Sequence, residues 1–184
     1  VPEAYPTPLA GQRLTAALLR SMQPQTLRKP ADTPRSSTTT QTADPHIQMD
    51  VVAGGVYTFN GWLTYDGVPA ADLVLGFSVP SGSLGTWIGH GGGTTLTSAT
   101  GAGGTQQDAI STWGYTIRLE STPISATRTY GGLGAGTQLS VLIDGTLRVG
   151  ATGGTFALVW SQSVSNATAT TLYTDSFIAV QRVA

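Results

Sequence analysis

Tyr57-Thr58-Phe59-Asn60-Gly61-Trp62-Leu63-Thr64-Tyr65 reads with a period of two. Tyr57, Phe59, Leu63 and Tyr65 alternate with Thr58, Asn60, Trp62 and Thr64, the pattern of a strand with one face in a core and one in water. The period recurs along the chain. Leu73, Leu75, Phe77 and Val79 form a second face, closed by Pro80. Trp113, Tyr115, Ile117 and Leu119 form another. Leu139, Val141, Ile143, Leu147 and Val149 follow, with Gly145 expected at a bulge or kink. Phe156, Leu158, Trp160 and Val164 make one more. Asp66-Gly67, Ser81-Gly82, Gly131-Gly132, Asp144-Gly145 and Gly153-Gly154 are turn dipeptides. Short strands at this spacing predict an all-β, antiparallel sandwich or jelly roll over residues 46–184.

The final run, Leu172 to Val183, is apolar on both faces. Such a strand is covered on both sides. A neighbouring subunit is the expected second cover, with Tyr173, Phe177, Ile178 and Val180 placed at the interface.

Residues 1–45 read differently. They hold five basic and three acidic residues and seven of the ten prolines, against four basic and seven acidic residues in the remainder. One helix is expected over about 10–22, where Leu14, Leu18 and Met22 make a stripe with Leu19 beside it. Pro24 ends it. A helix so short is marginal by itself in water. The polar stretch from Leu27 to Ala43 has the composition of a disordered segment. The expectation is an extended arm with one short helix, whose Leu14, Leu18, Leu19 and Met22 anchor the chain to something else.

Composition narrows the function classes. Charged residues are 10% of the chain, well under the ~25% usual in soluble domains. Much of the surface is therefore expected to be covered by other chains. A net charge of −1 gives no reason to expect nucleic acid. With no cysteine, disulfides and thiolate chemistry are excluded. No apolar run approaches the ~20 residues of a membrane helix. The N-terminus as given lacks the charged and apolar regions of a secretory signal.

The motifs do not add up to catalysis. Gly89-His90-Gly91-Gly92-Gly93 resembles an oxyanion loop, but no nucleophile elbow accompanies it. The stretch 89–104 is expected to be a flexible glycine loop. Two separated histidines, His46 and His90, do not make up the ligand set of a zinc site; no metal, no cofactor and no enzymatic activity are expected. Asp66 and Asp144 are explained by their turns. Four tryptophans offer a sugar-stacking platform. Trp113 and Trp160 fall on apolar faces, so Trp87, with His90 beside it, is the expected surface contact.

The segment Ala10-Gly11-Gln12-Arg13-Leu14-Thr15-Ala16-Ala17-Leu18-Leu19 is followed by Pro24-Gln25-Thr26, Arg28-Lys29-Pro30-Ala31-Asp32-Thr33 and Ala43-Asp44-Pro45-His46. Together with Tyr57 to Leu63 and Trp160 to Tyr173, it resembles small structural proteins of actinobacterial phages and prophages. The head is similar to the TNF/C1q-like jelly rolls that viruses use as trimeric knobs. The resemblance implies a virion surface protein assembled in the host cytoplasm: a trimeric capsid decoration or minor capsid protein whose arm grips the major capsid protein. It leaves open a minor tail protein or receptor-binding knob that recognises a host glycan. A surface polysaccharide hydrolase ranks third.

Overall fold

The computed structural model describes residues 9–94, 115–116 and 121–184. Trp113, Ile117, Leu119 and residues 95–104 of the expected glycine loop lie outside these. The first described elements are a helix, α1 (Ala16–Ser21), then β1 (Gln25–Arg28), β2 (Thr33–Arg35), β3 (Thr42–Val51), β4 (Val56–Gly67), β5 (Leu73–Ser78) and β6 (Leu84–Gly92). After them come β7 (Tyr115–Thr116), β8 (Thr122–Pro123), β9 (Arg128–Tyr130), β10 (Gly134–Arg148), β11 (Gly154–Gln162), β12 (Thr170–Leu172) and β13 (Phe177–Arg182).

The pairing follows one rule. β1 pairs with β13, β3 with β11, β4 with β10 and β5 with β9, all antiparallel. The front of the chain is thus zipped to its back, as in one long hairpin. The hairpin is then wrapped so that β13 also meets β4, and β11 also meets β5. The result is a jelly roll of two sheets, β1-β13-β4-β10-β6 and β3-β11-β5-β9. β6 is an addition, inserted between β5 and β9 and laid against the free side of β10. Wrapping the hairpin gives each sheet an inner face, and the period-two residues fill it.

The core is aromatic at its centre. Phe59, Phe77 and Phe156 lie with ring centroids 5.0–5.2 Å apart, and Trp87 meets Phe77 edge-on at 5.3 Å. Offset and edge contacts of this kind add to plain burial. Leu63, Leu73, Leu75, Leu158 and Trp160 are fully enclosed around them. Val164 lies beyond the end of β11 and is exposed.

Three expectations change here. The boundary at residue 45 runs through β3, and β1 and β2 are hydrogen-bonded to β13 and β12. The polar stretch is part of the sandwich, which begins at Gln25. Gly145 is neither bulge nor turn. β10 passes through it in unbroken register with Phe59 and Trp87 opposite. Its reason is steric: a Cβ there would sit 2.3 Å from Phe59 Cζ. Phe59 is held by Phe77 and Phe156 and has no room to retreat. Gly145→Ala is therefore expected to cost about 1–3 kcal/mol through overpacking, read as a lower urea midpoint at unchanged m-value.

Candidate functional site

Three of the four anchor residues expected from the sequence are exposed. Thr15 caps α1, its Oγ1 accepting from the Leu18 backbone N–H at 3.2 Å. The helix is six residues long, shorter than the expected span of 10–22. Upstream, Gly11 has φ of +81° and Gln12 N–H closes a turn on the Leu9 carbonyl. That turn and the extended Thr15 cap stop the helix from starting earlier. Leu14, Leu19 and Met22 are exposed and Leu18 is half-buried. Leu14 shows 68% of its surface and Leu19 50%, so the sandwich does not absorb the stripe.

Immediately after this segment the chain is locked down. Lys29 and Asp44 are both fully buried, with Nζ 2.7 Å from Asp44 Oδ2 and 2.7 Å from Thr33 Oγ1. Asp44 Oδ2 also accepts from the Trp160 indole at 3.2 Å. Its Oδ1 accepts from the backbone N–H of His46 and Ile47 at 3.0 and 3.2 Å. Burial pushes the Asp44 carboxyl upward, but Lys29, the His46 N–H and Trp160 together outweigh it and hold the group below the ordinary carboxylate range. The Arg35 guanidinium lies over the Trp160 ring at 4.0 Å and donates to the Trp160, Thr42 and Ala43 carbonyls. Composition gave no hint of this pair, because each partner sits in a stretch that is polar throughout. Asp66 is a similar case. It is no local turn residue but a brace, accepting from Thr171 N–H, Gly136 N–H and the Tyr173 hydroxyl.

Two expected sites change face. Trp87 is 1% exposed and belongs to the core. The string Gly89 to Gly92 is strand, not loop, and alternation carries Trp87 inward with Gly89 and Gly91. These glycines make a slot for Tyr130: a Cβ on Gly89 would lie 1.9 Å from Tyr130 Oη, and one on Gly91 2.8 Å from Cδ1. His90 points the other way and is half-buried on the outer face. Ile178 and Val180 are enclosed in the protomer's own core, at 0% and 2% exposure. They cannot form a contact between subunits. Phe177 and Tyr173 remain half-buried.

The second apolar face of β13 leads to a surface that the sequence did not single out. Across the outer face of the large sheet, Phe177, Trp62, Leu142 and His90 stand in one register row. Trp62 and Leu142 are 46% and 45% exposed. The next row is Ala179, Asn60, Asp144 and Ile88, and the one after it carries Thr58, Thr146 and Thr86. Short side chains beside tall ones leave a shallow groove of about 430 Å³. The indole N–H of Trp62 donates to Thr64 Oγ1 at 3.2 Å, which fixes the ring.

No family model matches the chain, and no curated protein matches it. Among solved structures, it is similar to a chain of infectious bursal disease virus, Gx strain, at 12% identity and a TM-score of 0.23, covering 98% of this chain and 48% of that one. A chain of the Gt strain of the same virus gives 12% identity and a TM-score of 0.21, covering 100% and 46%. The chain spans about half the length of these proteins. Likenesses this low carry no weight for function, and the jelly roll rests on the strand order.

Proposed function

We propose that this chain is a structural protein of a phage particle, attached through residues 1–24 and presenting its jelly roll to the outside. One observation carries the reading. The sandwich closes at Gln25, yet the segment before it keeps Leu14, Leu19 and Met22 exposed. Those side chains gain roughly 1.5–3 kcal/mol each when fully buried, and the chain's own core does not take them. A short helix with such a stripe gains order by docking on a partner. The capsid shell is the proposed partner, with a tail protein as the other choice. Homotrimeric assembly belongs to the same reading, since three weak attachments on one trimer act as one strong one. Of the four residues expected at its interface, Tyr173 is the one neither enclosed in the core nor in the Trp62 row of the outer face.

Deletion of residues 1–24 tests this. The truncated protein is expected to keep its fold and its mass by light scattering, and to be missing from particles assembled in its presence. Normal incorporation overturns the attachment reading. A monomeric mass for the full chain at micromolar concentration removes the trimer and leaves attachment standing.

A further inference from the structure

The groove on the outer face of the large sheet carries two residues that folding does not ask for. Asn60 and Asp144 face one another in the middle of β4 and β10. Asn, Asp and the neighbouring Gly61 and Gly145 are all poor strand formers. Gly145 and Gly61 have steric reasons, against Phe59 and against Phe177 and Ile178. Asn60 and Asp144 have none. Both are exposed, and neither side chain enters a hydrogen bond or ion pair with another described residue. Asp144 would be accounted for by a turn, but it lies inside a 15-residue strand. Among the four tryptophans, Trp62 is the exposed one within the described residues, and it stands beside this pair on the same face.

The chemistry of the groove selects its ligand. The floor offers the hydroxyls of Thr58, Thr86 and Thr146, one amide and one carboxylate, with no cation. A phosphate or an acidic polymer would meet Asp144 in the groove, while Arg148 on the same face lies four residues along β10, outside its lining. An apolar peptide, or a second copy of the sheet face, would strip water from Asp144 and Asn60 and leave them unpaired, which is costly. A neutral sugar chain meets both halves of the surface. Its C–H face packs on the fixed indole of Trp62. Its hydroxyls donate to the Asp144 carboxylate, a charge-assisted bond, and exchange bonds with Asn60 and the threonines. Asn60 lies two residues from Trp62 along β4, about 7 Å away, so one short stretch of glycan touches both.

We propose that this groove binds a neutral glycan chain, with Trp62, in the row beside the groove, as the stacking platform and Asp144 and Asn60, in its lining, as the hydroxyl-binding pair. The proposal does not depend on the attachment reading, because the isolated full-length chain suffices to test it. The chain is titrated by calorimetry with linear hexaoses of glucose, galactose and mannose. Saturable binding of at least one is expected. Trp62→Ala and Asp144→Ala should each weaken it about tenfold or more, the loss of a stacking or charged hydrogen-bond partner. Leu84→Ser, on the same face beyond the groove, should leave it unchanged. Trp62 and Asp144 are both exposed, and circular dichroism checks that the variants stay folded. No binding of any of the three up to about 10 mM, a range that includes weak millimolar association, overturns the proposal. So does equal binding by the variants. A change of assembly mass in Trp62→Ala also overturns it, since the face would then be a contact between copies.

Discussion

Asp44→Ala is expected to destabilise the protein by about 3–5 kcal/mol, the cost of leaving a buried ammonium without its counter-charge. Lys29 is enclosed completely, and after the substitution Thr33 Oγ1 is its remaining side-chain partner. The Trp160 indole and the N–H groups of His46 and Ile47 lose their acceptor at the same time. Against a usual total of 5–15 kcal/mol, this is a large fraction, and urea unfolding should show it plainly. Replacing both partners by apolar residues, Lys29→Met with Asp44→Leu, should recover part of the loss. The recovery stays incomplete because Trp160 still lacks its acceptor. If Asp44→Ala and the double variant are both neutral, the pair does not hold the fold.

The same residue sets an acid limb. Its carboxyl titrates lower when folded than when unfolded. Its contribution is therefore fully present above the unfolded value, about 3.9, and is lost as pH falls from there through the folded value. Asp72 has the opposite sign. Burial pushes it up, and the Gly132 N–H offsets this only in part. Protonating Asp72 favours the folded state, so it cannot be the source of acid loss. Asp44→Ala should accordingly flatten the fall in stability below about pH 4.

The periodicity of β4, β5, β10 and β11 was legible because apolar side chains alternate with polar ones on a half-buried sheet. Their large buried apolar members are ones that the pattern named, although β11 also buries Ala157, Ser161 and Gln162. Where the sequence misled, a residue type carried two meanings. Glycines in β6 read as a loop, although they clear a slot for Tyr130. Asp144-Gly145 read as a turn, although Gly145 clears Phe59. The two-sided apolarity of β13 was real, but Ile178 and Val180 supply the core while Phe177 and Ala179 border the outer face. The groove was invisible for a different reason. Its residues come from β4, β6 and β10 and meet only through cross-strand register, which composition does not contain.

Removal of residues 1–30 is expected to unfold the protein, whereas removal of 1–24 is not. The difference of six residues contains β1 and Lys29. Without β1, the backbone groups of β13 that face Gln25 to Arg28 lose their partners and become an open sheet edge. Leu27, packed against the core, is lost with it, at about 1–2 kcal/mol for a half-buried leucine. Asp44 then keeps its backbone donors, Trp160 and the more distant Arg35 but loses the cation in contact with it, a cost of up to about 3–5 kcal/mol. Together these approach the whole stability of an ordinary domain. Among the described residues before Gln25, the backbone hydrogen bonds of Gln12, Leu19, Met22 and Gln23 stay within their own segment. The shorter truncation should therefore melt cooperatively near the full-length temperature, and the longer one should aggregate through the β13 edge. A folded product from the longer truncation would place the start of the sandwich at β3, and would return the stretch from Gln25 to Ala43 to the attachment arm.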